Sequence, residues 1–374
     1  MNPKVSVIMP IYNVEKYLQQ SLLSVIHQTM RDIEIICIND GSTDSSGKIL
    51  SYYSEKDDRI KIITTPNKGY GHAMNIGLRE AKGEYIGIVE PDDYVDTRMF
   101  EYLYDTAKLQ GTDIVKADFY RFSRGIHGTQ KFLQPVANDI RFYHRIVIPQ
   151  KENDCFRNIM NIWCGIYKRE FLDCNNIYFH ETPGASFQDN GFWFKTLCYC
   201  KRLYYLDIPL YMNRRDNPDS SVHNPGNIYC CNQEYKLIRE FLRKNKRLEE
   251  KFLEGYMIKK YETYMFNIGR IRGEPLKKYL KDLSEEWKTD YENGDLTEEG
   301  FTPFEWNVIT QIMREPDKAY DIFSEKKDKE EVNVKIQDLQ YQIDEIRKSR
   351  SYKIGMLITF IPRKIREIRS KGEK

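Results

Sequence analysis

The chain has 374 residues, 40% of them hydrophobic and 30% charged, which is typical of globular proteins and excludes disordered and fibrous classes. No apolar run approaches the ~18 residues of a membrane span, and the first residues lack the features of a secretory signal. The net charge of +2 gives no indication of a nucleic-acid partner. Eight cysteines without a C-x-x-C pair indicate reduced thiols in a cytoplasmic protein.

The first ninety residues alternate between short apolar runs and segments with helical periodicity. The predicted strands are residues 5–9, 33–39, 60–64 and 85–89. The predicted helices between them are residues 14–29, 43–56 and 71–81. We expect Pro10 to end the first strand. This alternation predicts an α/β fold with a parallel, doubly wound sheet, in which ligands bind at the carboxyl ends of the strands.

The remaining predicted elements are less regular. In chain order they are a helix at 99–110, a strand at 113–122, a variable insertion at 123–160, a core element at 163–172, an aromatic helix within 184–199 and a strand at 204–211. Residues 228–325 have helical periodicity, with breaks at 273–275 and Gly294. The sequence therefore predicts a helical region after the sheet.

The C-terminal end has two distinct patterns. Apolar residues follow a heptad spacing at positions 332, 336, 339, 343 and 346, which indicates a short coiled coil and the option of a homodimer. Residues 347–374 carry ten Lys and Arg against two Glu, beside an apolar stripe at 354–368 that Pro362 interrupts. This tail has a net charge of +8, so we expect peripheral docking on an anionic inner membrane surface. The alternative is that the stripe packs on the rest of the chain or extends the coiled coil.

Polar residues follow three of the predicted strands. Tyr12 and Asn13 come after the first strand, and Asp40 ends the second within the sequence Asp-Gly-Ser-Thr-Asp. The fourth runs into Glu90-Pro91-Asp92-Asp93, a cluster of carboxylates that is costly to bury without a cation. Taken singly, these features are also typical of a packed tyrosine, a helix cap and a solvated acidic turn. Together, one at each strand end, they indicate a nucleotide-diphosphate site with a divalent metal.

This constellation resembles the family 2 glycosyltransferases, whose catalytic domain has the GT-A fold. The matching stretches are VSVIMPIYNVEKYLQQSLLSVIHQT, IEIICINDGSTDSS, NKGYGHAMNIGLREAKGEYIGIVEPDDYVD and FQDNGFWF. The resemblance implies a GT-A-type doubly wound mixed sheet with flanking helices, followed by a helical C-terminal region. The expected division is a nucleotide-sugar-dependent domain at 1–225, a helical extension at 226–328, and a coiled coil with a basic tail at 329–374.

The resemblance also implies what binds at these strand ends. A nucleotide-sugar donor, usually a UDP-sugar, would be bound by Pro10, Tyr12, Asn13, Asp40, Lys68 and Asp92. Asp93 would hold Mn²⁺ or Mg²⁺ on the diphosphate. The chain departs from the family's usual acidic motif by having Glu90 at the first carboxylate and Pro91 after it.

By the same resemblance, Asp189 in Gln188-Asp189 is the expected general base. An inverting transfer needs one carboxylate to deprotonate the acceptor hydroxyl, and no covalent intermediate. The alternative is that Asp189 caps the helix that follows it. Arg214 and Arg215 are expected near the departing diphosphate, whose charge a guanidinium stabilises, or else they are solvated loop residues.

The leading hypothesis is therefore a hexosyltransferase-type enzyme of cell-surface polysaccharide assembly. Its expected acceptor is a glycan or a lipid-linked hydroxyl. A nucleotidyltransferase is the first alternative, but it would have a Gly-rich basic loop where this chain has Tyr12-Asn13-Val14-Glu15. A catalytically silent sugar-binding scaffold is the second alternative, and the intact Asp40, Asp92, Asp93 and Asp189 argue against it.

Overall fold

The computed structural model describes residues 3–125, 128–220 and 227–348. Its strands are β1 (Val5–Ile11), β2 (Ile33–Asp40), β3 (Ile60–Thr65), β4 (Tyr85–Ile88), β5 (Tyr94–Val95), β6 (Ile114–Gly125), β7 (Gly128–Gln134), β8 (Ile146–Val147), β9 (Gly165–Lys168) and β10 (Leu203–Arg214). Its helices are α1 (Glu15–Ile26), α2 (Ser46–Ser54), α3 (Tyr70–Glu80), α4 (Met99–Gln110), α5 (Arg169–Cys174), α6 (Gln188–Tyr199), α7 (Cys230–Arg243), α8 (Lys246–Arg270), α9 (Gly273–Glu292), α10 (Pro303–Arg314) and α11 (Pro316–Lys348).

The described strands form one mixed sheet in the order β3-β2-β1-β4-β9-β6-β10-β5. The strands β3, β2, β1 and β4 are parallel, whereas β9 runs antiparallel to both β4 and β6. Every residue of β1 is buried, because this strand has a neighbour on each side and helices against the sheet. The α/β fold with a mixed sheet, flanking helices and a helical C-terminal region is thus confirmed.

The first strand is longer than expected, and the prediction that Pro10 ends it is wrong. Pro10 lies within β1 opposite Ile38 of β2. On the other side of β1, pairing with β4 ends at Ile8 opposite Ile88. The backbone nitrogen of Pro10 faces the β4 side of β1, where the pairing with β4 has already ended. The sheet therefore loses no hydrogen bond because proline lacks an N–H. The predicted insertion at 123–160 also contains regular structure, namely the end of β6 and the strands β7 and β8.

The chain divides into two compact units. The first comprises residues 1–271 and 290–302, and it contains the whole described sheet. The second comprises residues 272–289 and the chain from 303 on. Within the second unit, Ser284 Oγ donates to the carbonyl of Met313 at 2.8 Å. The sequence-based division at 225 and 328 stays a prediction.

The predicted coiled-coil segment lies in the continuous helix α11. Of its heptad side chains the structure describes Ile343, which is 48% exposed. The tail from residue 349 on, including the apolar stripe at 354–368, lies outside the described residues, so its membrane docking stays a prediction. In the three described ranges, no helix is both long enough and apolar enough to cross a membrane.

Candidate active site

The carboxyl ends of β1, β2 and β4 lie at one edge of the sheet, as their parallel order requires. Asn13 joins the first two ends, because its Oδ1 accepts the N–H of Thr43 at 2.8 Å and its own N–H donates to Ser42 Oγ at 3.2 Å. Pro10 is buried, whereas Tyr12 is 49% exposed. From this strand end, the ring of Tyr12 is therefore the group available to a ligand.

Asp40 shapes the loop after β3 from a buried position. Its Oδ1 accepts the N–H of Lys68 at 3.0 Å, and its Oδ2 accepts the N–H of Gly69 at 2.9 Å. Any contact of Asp40 with a nucleotide would be additional to these bonds. The side chain of Lys68 is exposed and has no partner among the described residues, so it is available to an anion.

The loop after β3 packs against the backbone that precedes α6. The N–H of Tyr70 donates to the carbonyl of Gly184 at 2.9 Å. Gly69 has φ +95°, and a Cβ there would lie 2.8 Å from the same carbonyl oxygen. A Cβ on Gly71 would lie 2.1 Å from the carbonyl oxygen of His180. These glycines are required because the two backbone segments approach closely.

Asp92 and Asp93 accept hydrogen bonds from residues at the end of β10 and just after it. Asp93 is buried, and its Oδ1 accepts the N–H of Arg214 at 2.6 Å while its Oδ2 accepts the amide of Asn213 at 3.1 Å. Asp92 is half-buried, and its Oδ2 accepts the amide of Asn217 at 2.8 Å. Burial, and then the charge of Asp92, raises the pKa of Asp93 well above its usual range.

The two arginines expected near the diphosphate lie in different environments. The Arg214 side chain is 2% exposed, and its guanidinium lies between the rings of Tyr17 and Phe122. It donates to the carbonyl of Asp92 at 2.7 Å, so it supports the acidic pair from inside the protein. Arg215 is exposed, and its side chain has no partner among the described residues. Of the two, Arg215 is the cation available to a ligand.

Glu90 forms a half-buried pair with Tyr70. The Tyr70 hydroxyl donates to Glu90 Oε1 at 2.6 Å, and the Tyr211 hydroxyl accepts the N–H of Glu90 at 3.0 Å. Burial raises the pKa of Glu90 to about 8, although the Tyr70 hydrogen bond lowers it, and the charges of Asp92 and Asp189 raise it further. Glu90 is therefore electrostatically coupled to both Asp92 and Asp189.

The acidic residues fit a metal that arrives with a diphosphate. No group of three His, Cys, Asp or Glu in the described ranges forms a complete metal cage. A divalent ion in a nucleotide site, however, needs only one or two carboxylates, because phosphate oxygens supply other ligands. Asp92 and Asp93 provide such a pair. Burial is the main cause of the raised pKa of Asp93, and the charge of Asp92, which a cation would compensate, is the second.

Asp189 lies in the first turn of α6, after Phe187 in a left-handed conformation with φ 67°. Burial and the charge of Glu234 raise the pKa of Asp189 to about 6, against the lowering effect of the backbone N–H groups of residues 189 and 190. Phe187 occupies the N-cap position, and Asp189 lies two residues further into the helix. Asp189 is a carboxylate whose proton affinity suits a general base near neutral pH.

Glu234 of α7 contacts the same helix turn. Its Oε1 accepts the N–H of Gly191 at 3.0 Å and lies 2.8 Å from His180 Nδ1. A Cβ on Gly191 would lie 2.1 Å from this oxygen, so only glycine permits the approach. Sequence reasoning missed Glu234 because it belongs to no motif, and it passed over His180 because no second histidine follows at ligand spacing. The sequence offers one weak signal, which is the glycine at position 191 among the aromatic residues of α6, because a glycine inside a helix can mark a close contact.

Comparison with known proteins identifies the family of the first part of the chain. Residues 6–173 match the family described as Glycosyl transferase family 2. The uncharacterized glycosyltransferase EpsJ of Bacillus subtilis is 36% identical over 225 residues, which are 60% of this chain and 64% of EpsJ. This chain therefore spans a little under two thirds of EpsJ. Glycosyltransferase GlyG of Streptococcus pneumoniae is 30% identical over 233 residues, which are 58% of this chain and 72% of GlyG.

Solved structures show the same fold. The S. aureus TarS 1-349 structure in complex with UDP-GlcNAc matches with a TM-score of 0.64 and 19% identity, covering 87% of this chain and 92% of that chain. The TarS 1-349 structure described without a ligand matches with a TM-score of 0.65 and 18% identity. At these low sequence identities the structural similarity establishes only the fold. The family is established by the sequence relatives described above.

Proposed function

This chain belongs to glycosyl transferase family 2, and we propose that it transfers a hexose from a nucleotide-sugar, most simply a UDP-sugar, to an acceptor hydroxyl with inversion at the anomeric carbon. The observation that supports the proposal is the electrostatic interaction of Asp189 with the acidic residues that follow β4. Its carboxyl is electrostatically coupled to Glu90, which is in turn coupled to Asp92. A base and a donor-binding acid therefore belong to one cluster, as a single displacement requires.

In this mechanism Asp189 removes the proton of the acceptor hydroxyl as the acceptor oxygen attacks the anomeric carbon. The nucleoside diphosphate leaves from the opposite face, so one base suffices. The pKa of about 6 supports this role, because Asp189 is largely ionised at neutral pH yet accepts a proton more readily than an exposed aspartate. Asp189 lies in the first turn of α6, so this helix positions its carboxylate.

The donor would lie along the strand ends, with Tyr12 against the base and Asp40 beside the nucleoside. Asp93, supported by Asp92, would hold Mn²⁺ or Mg²⁺, which when bound neutralises charge on the departing diphosphate. Lys68 and Arg215 add exposed cations for the same phosphates. Arg214 would act from behind, by holding the backbone of Asp92 and the carboxylate of Asp93 in place.

The proposal also includes the acceptor and the location of the enzyme. A structural neighbour is described in complex with UDP-GlcNAc, and one relative is a poly(ribitol-phosphate) beta-glucosyltransferase of Bacillus spizizenii. These names support a UDP-sugar donor and an acceptor in cell-surface polymer assembly. The basic tail at 347–374 would bring the enzyme to a lipid-linked acceptor. Liposome co-sedimentation of the full chain, compared with a version ending at residue 344, tests that location.

The activity is tested by hydrolysis and transfer with a panel of UDP-, GDP- and TDP-sugars. Each donor is measured with Mn²⁺, with Mg²⁺ and with EDTA. We expect one UDP-sugar to be hydrolysed slowly in the presence of metal, and to be consumed faster when an acceptor is added. Full activity in EDTA would contradict the metal assignment. A product that retains the donor's anomeric configuration would contradict single displacement.

A further inference from the structure

An arginine at the end of α8 lies beside the segment that carries the proposed base. The guanidinium carbon of Arg270 is 5.8 Å from the ring centre of Phe187 and 5.7 Å from that of Phe266. Phe187 comes two residues before Asp189 in the chain. Because an acceptor hydroxyl must contact the base, side chains that flank Asp189 also flank the acceptor. Arg270 therefore lies beside the segment where an acceptor would meet the proposed base.

The charge of Arg270 is not compensated within the described part of the chain. No carboxylate pairs with its guanidinium there, and its Nε is buried without a hydrogen-bond acceptor. The ionisable groups that act on it are the thiols of Cys230 and Cys231. Burial raises the pKa of Cys230, so that thiol is neutral at pH 7. Burial also lowers the pKa of Arg270, which is the signature of a cation that lacks an anion.

Two aromatic side chains on the chain segments next to Arg270 are partly open to solvent. Phe266 is 49% exposed and Tyr229 is 42% exposed. The two segments that carry them are tied together, since the amide of Asn267 donates to the carbonyl of Ile228 at 2.7 Å. Exposed rings provide apolar faces on which the C–H face of a sugar packs. Phe187, the third ring, adopts a left-handed backbone conformation, which is uncommon for a residue other than glycine.

We propose that Arg270, with Phe266 and Tyr229, binds an anionic group of the acceptor, a phosphate or a carboxylate next to the unit that receives the sugar. The rings of Phe187 and Phe266 contact the guanidinium by cation–π interaction, and the edge of its plane would form a bidentate bond to such a group. This inference rests on the proposed function, because it takes Asp189 as the site at which the acceptor is deprotonated. It extends that function from the donor to the chemical class of the acceptor.

The first test observes binding directly and needs no turnover. The full-length protein is labelled with nitrogen-15 arginine, and the Nε–Hε resonance of Arg270 is identified by its loss in Arg270→Gln. The probes are glycerol 3-phosphate, methyl glucuronide and the neutral methyl glucoside. We expect the phosphate or the carboxylate probe to shift this resonance and the neutral sugar to leave it unchanged. The arm that responds identifies the anion, and equal responses to all three probes would overturn the proposal.

The second test compares acceptors in the transfer reaction. Removing a charge-assisted hydrogen bond should raise KM for an anionic acceptor about 10-fold or more in Arg270→Gln, with donor hydrolysis unchanged. Arg270→Lys, which keeps the charge without the fork geometry, should lose less. Arg247→Gln removes an exposed arginine at the other end of α8 and is the matched control. If both Gln variants behave alike, Arg270 has no acceptor role. If the wild-type protein hydrolyses no donor, the proposed function fails instead.

Discussion

The carboxylate of Glu234 accepts the backbone N–H of Gly191 at 3.0 Å, and so reaches the first turn of α6 two residues after Asp189. The contact joins α7 to the helix that carries the proposed base, across 43 positions of sequence. Since Glu234 is 1% exposed, its charge is poorly screened by solvent. We infer that Glu234 positions the helix turn and raises the proton affinity of Asp189.

The first prediction concerns the acidic side of the pH–rate profile. A base with a pKa of about 6 is protonated, and therefore inactive, as the pH falls through that value. We expect kcat/KM to decline below about pH 6 rather than near the usual aspartate pKa of ~4. Asp189→Asn should lose about 10²–10⁴-fold in turnover with donor binding retained. Turnover near the wild-type value would reassign Asp189 as a helix cap.

The second prediction uses Glu234→Gln, which keeps an oxygen for the Gly191 N–H but removes the charge. The acidic limb should move down by about one pH unit, because one negative neighbour of Asp189 is lost. The other groups that act on Asp189 or couple to it are Lys116, Glu90, Tyr70 and Tyr167, and they are unchanged.

Two variants control for this change. Glu240→Gln removes an exposed carboxylate from the same helix, and we expect its profile to match the wild type. Glu234→Asp restores the charge and should restore the limb, even if turnover falls. An unshifted limb in Glu234→Gln would limit Glu234 to a structural role.

The third prediction concerns the metal. Asp93→Asn keeps an acceptor for the Arg214 N–H while weakening a metal ligand. Loss of several kcal/mol of charge stabilisation corresponds to about 10³-fold in turnover. Manganese titration of the protein with UDP, followed by electron paramagnetic resonance, should show weaker binding in the variant. Equal manganese affinity in both proteins would move the ligand role to another carboxylate.

The fourth prediction concerns stability of the ligand-free protein. The folded-state pKa of Glu90, about 8, lies above its ordinary value, so the folded protein binds an extra proton. Stability due to Glu90 is therefore present below pH ~4.5 and is lost as the pH rises toward 8. Glu90→Gln should raise the melting temperature by a few degrees at pH 8 and less at pH 5. Glu55→Gln, an exposed carboxylate on the same unit, should do neither.

The fifth prediction tests the close approach of the β3 loop to the segment before α6. Gly71→Ala would place a methyl group 2.1 Å from the carbonyl oxygen of His180, so one backbone segment must move. We expect a loss of about 1–3 kcal/mol in stability and a larger loss of activity. Gly47→Ala in α2 meets only ordinary contacts and should be tolerated. Thermal melting and donor hydrolysis of both variants check this.

The sequence by itself determined which residues share one edge of the sheet. Alternating apolar runs and helical periods predicted parallel strands, and parallel strands bring their carboxyl ends to one edge, where Tyr12, Asp40 and Asp92 lie. The position of Pro10 was misjudged, because its effect depends on where the neighbouring strand β4 ends. That end is a property of the sheet and leaves no mark on the sequence around Pro10.

Only the tertiary structure decided which charges face a ligand and which support the site. Adjacent arginines have identical side chains, yet Arg214 is buried between two rings and Arg215 is exposed. Glu234 and Arg270 belong to helices whose periodicity predicts only a packed face. Glu234 contacts Gly191 and Arg270 contacts Phe187, and each pair is separated by more than forty positions in the sequence. Burial, together with the charges that the fold brings close to a side chain, sets its proton affinity and decides whether its own charge is paired. Neither burial nor these neighbouring charges can be read from a local sequence pattern.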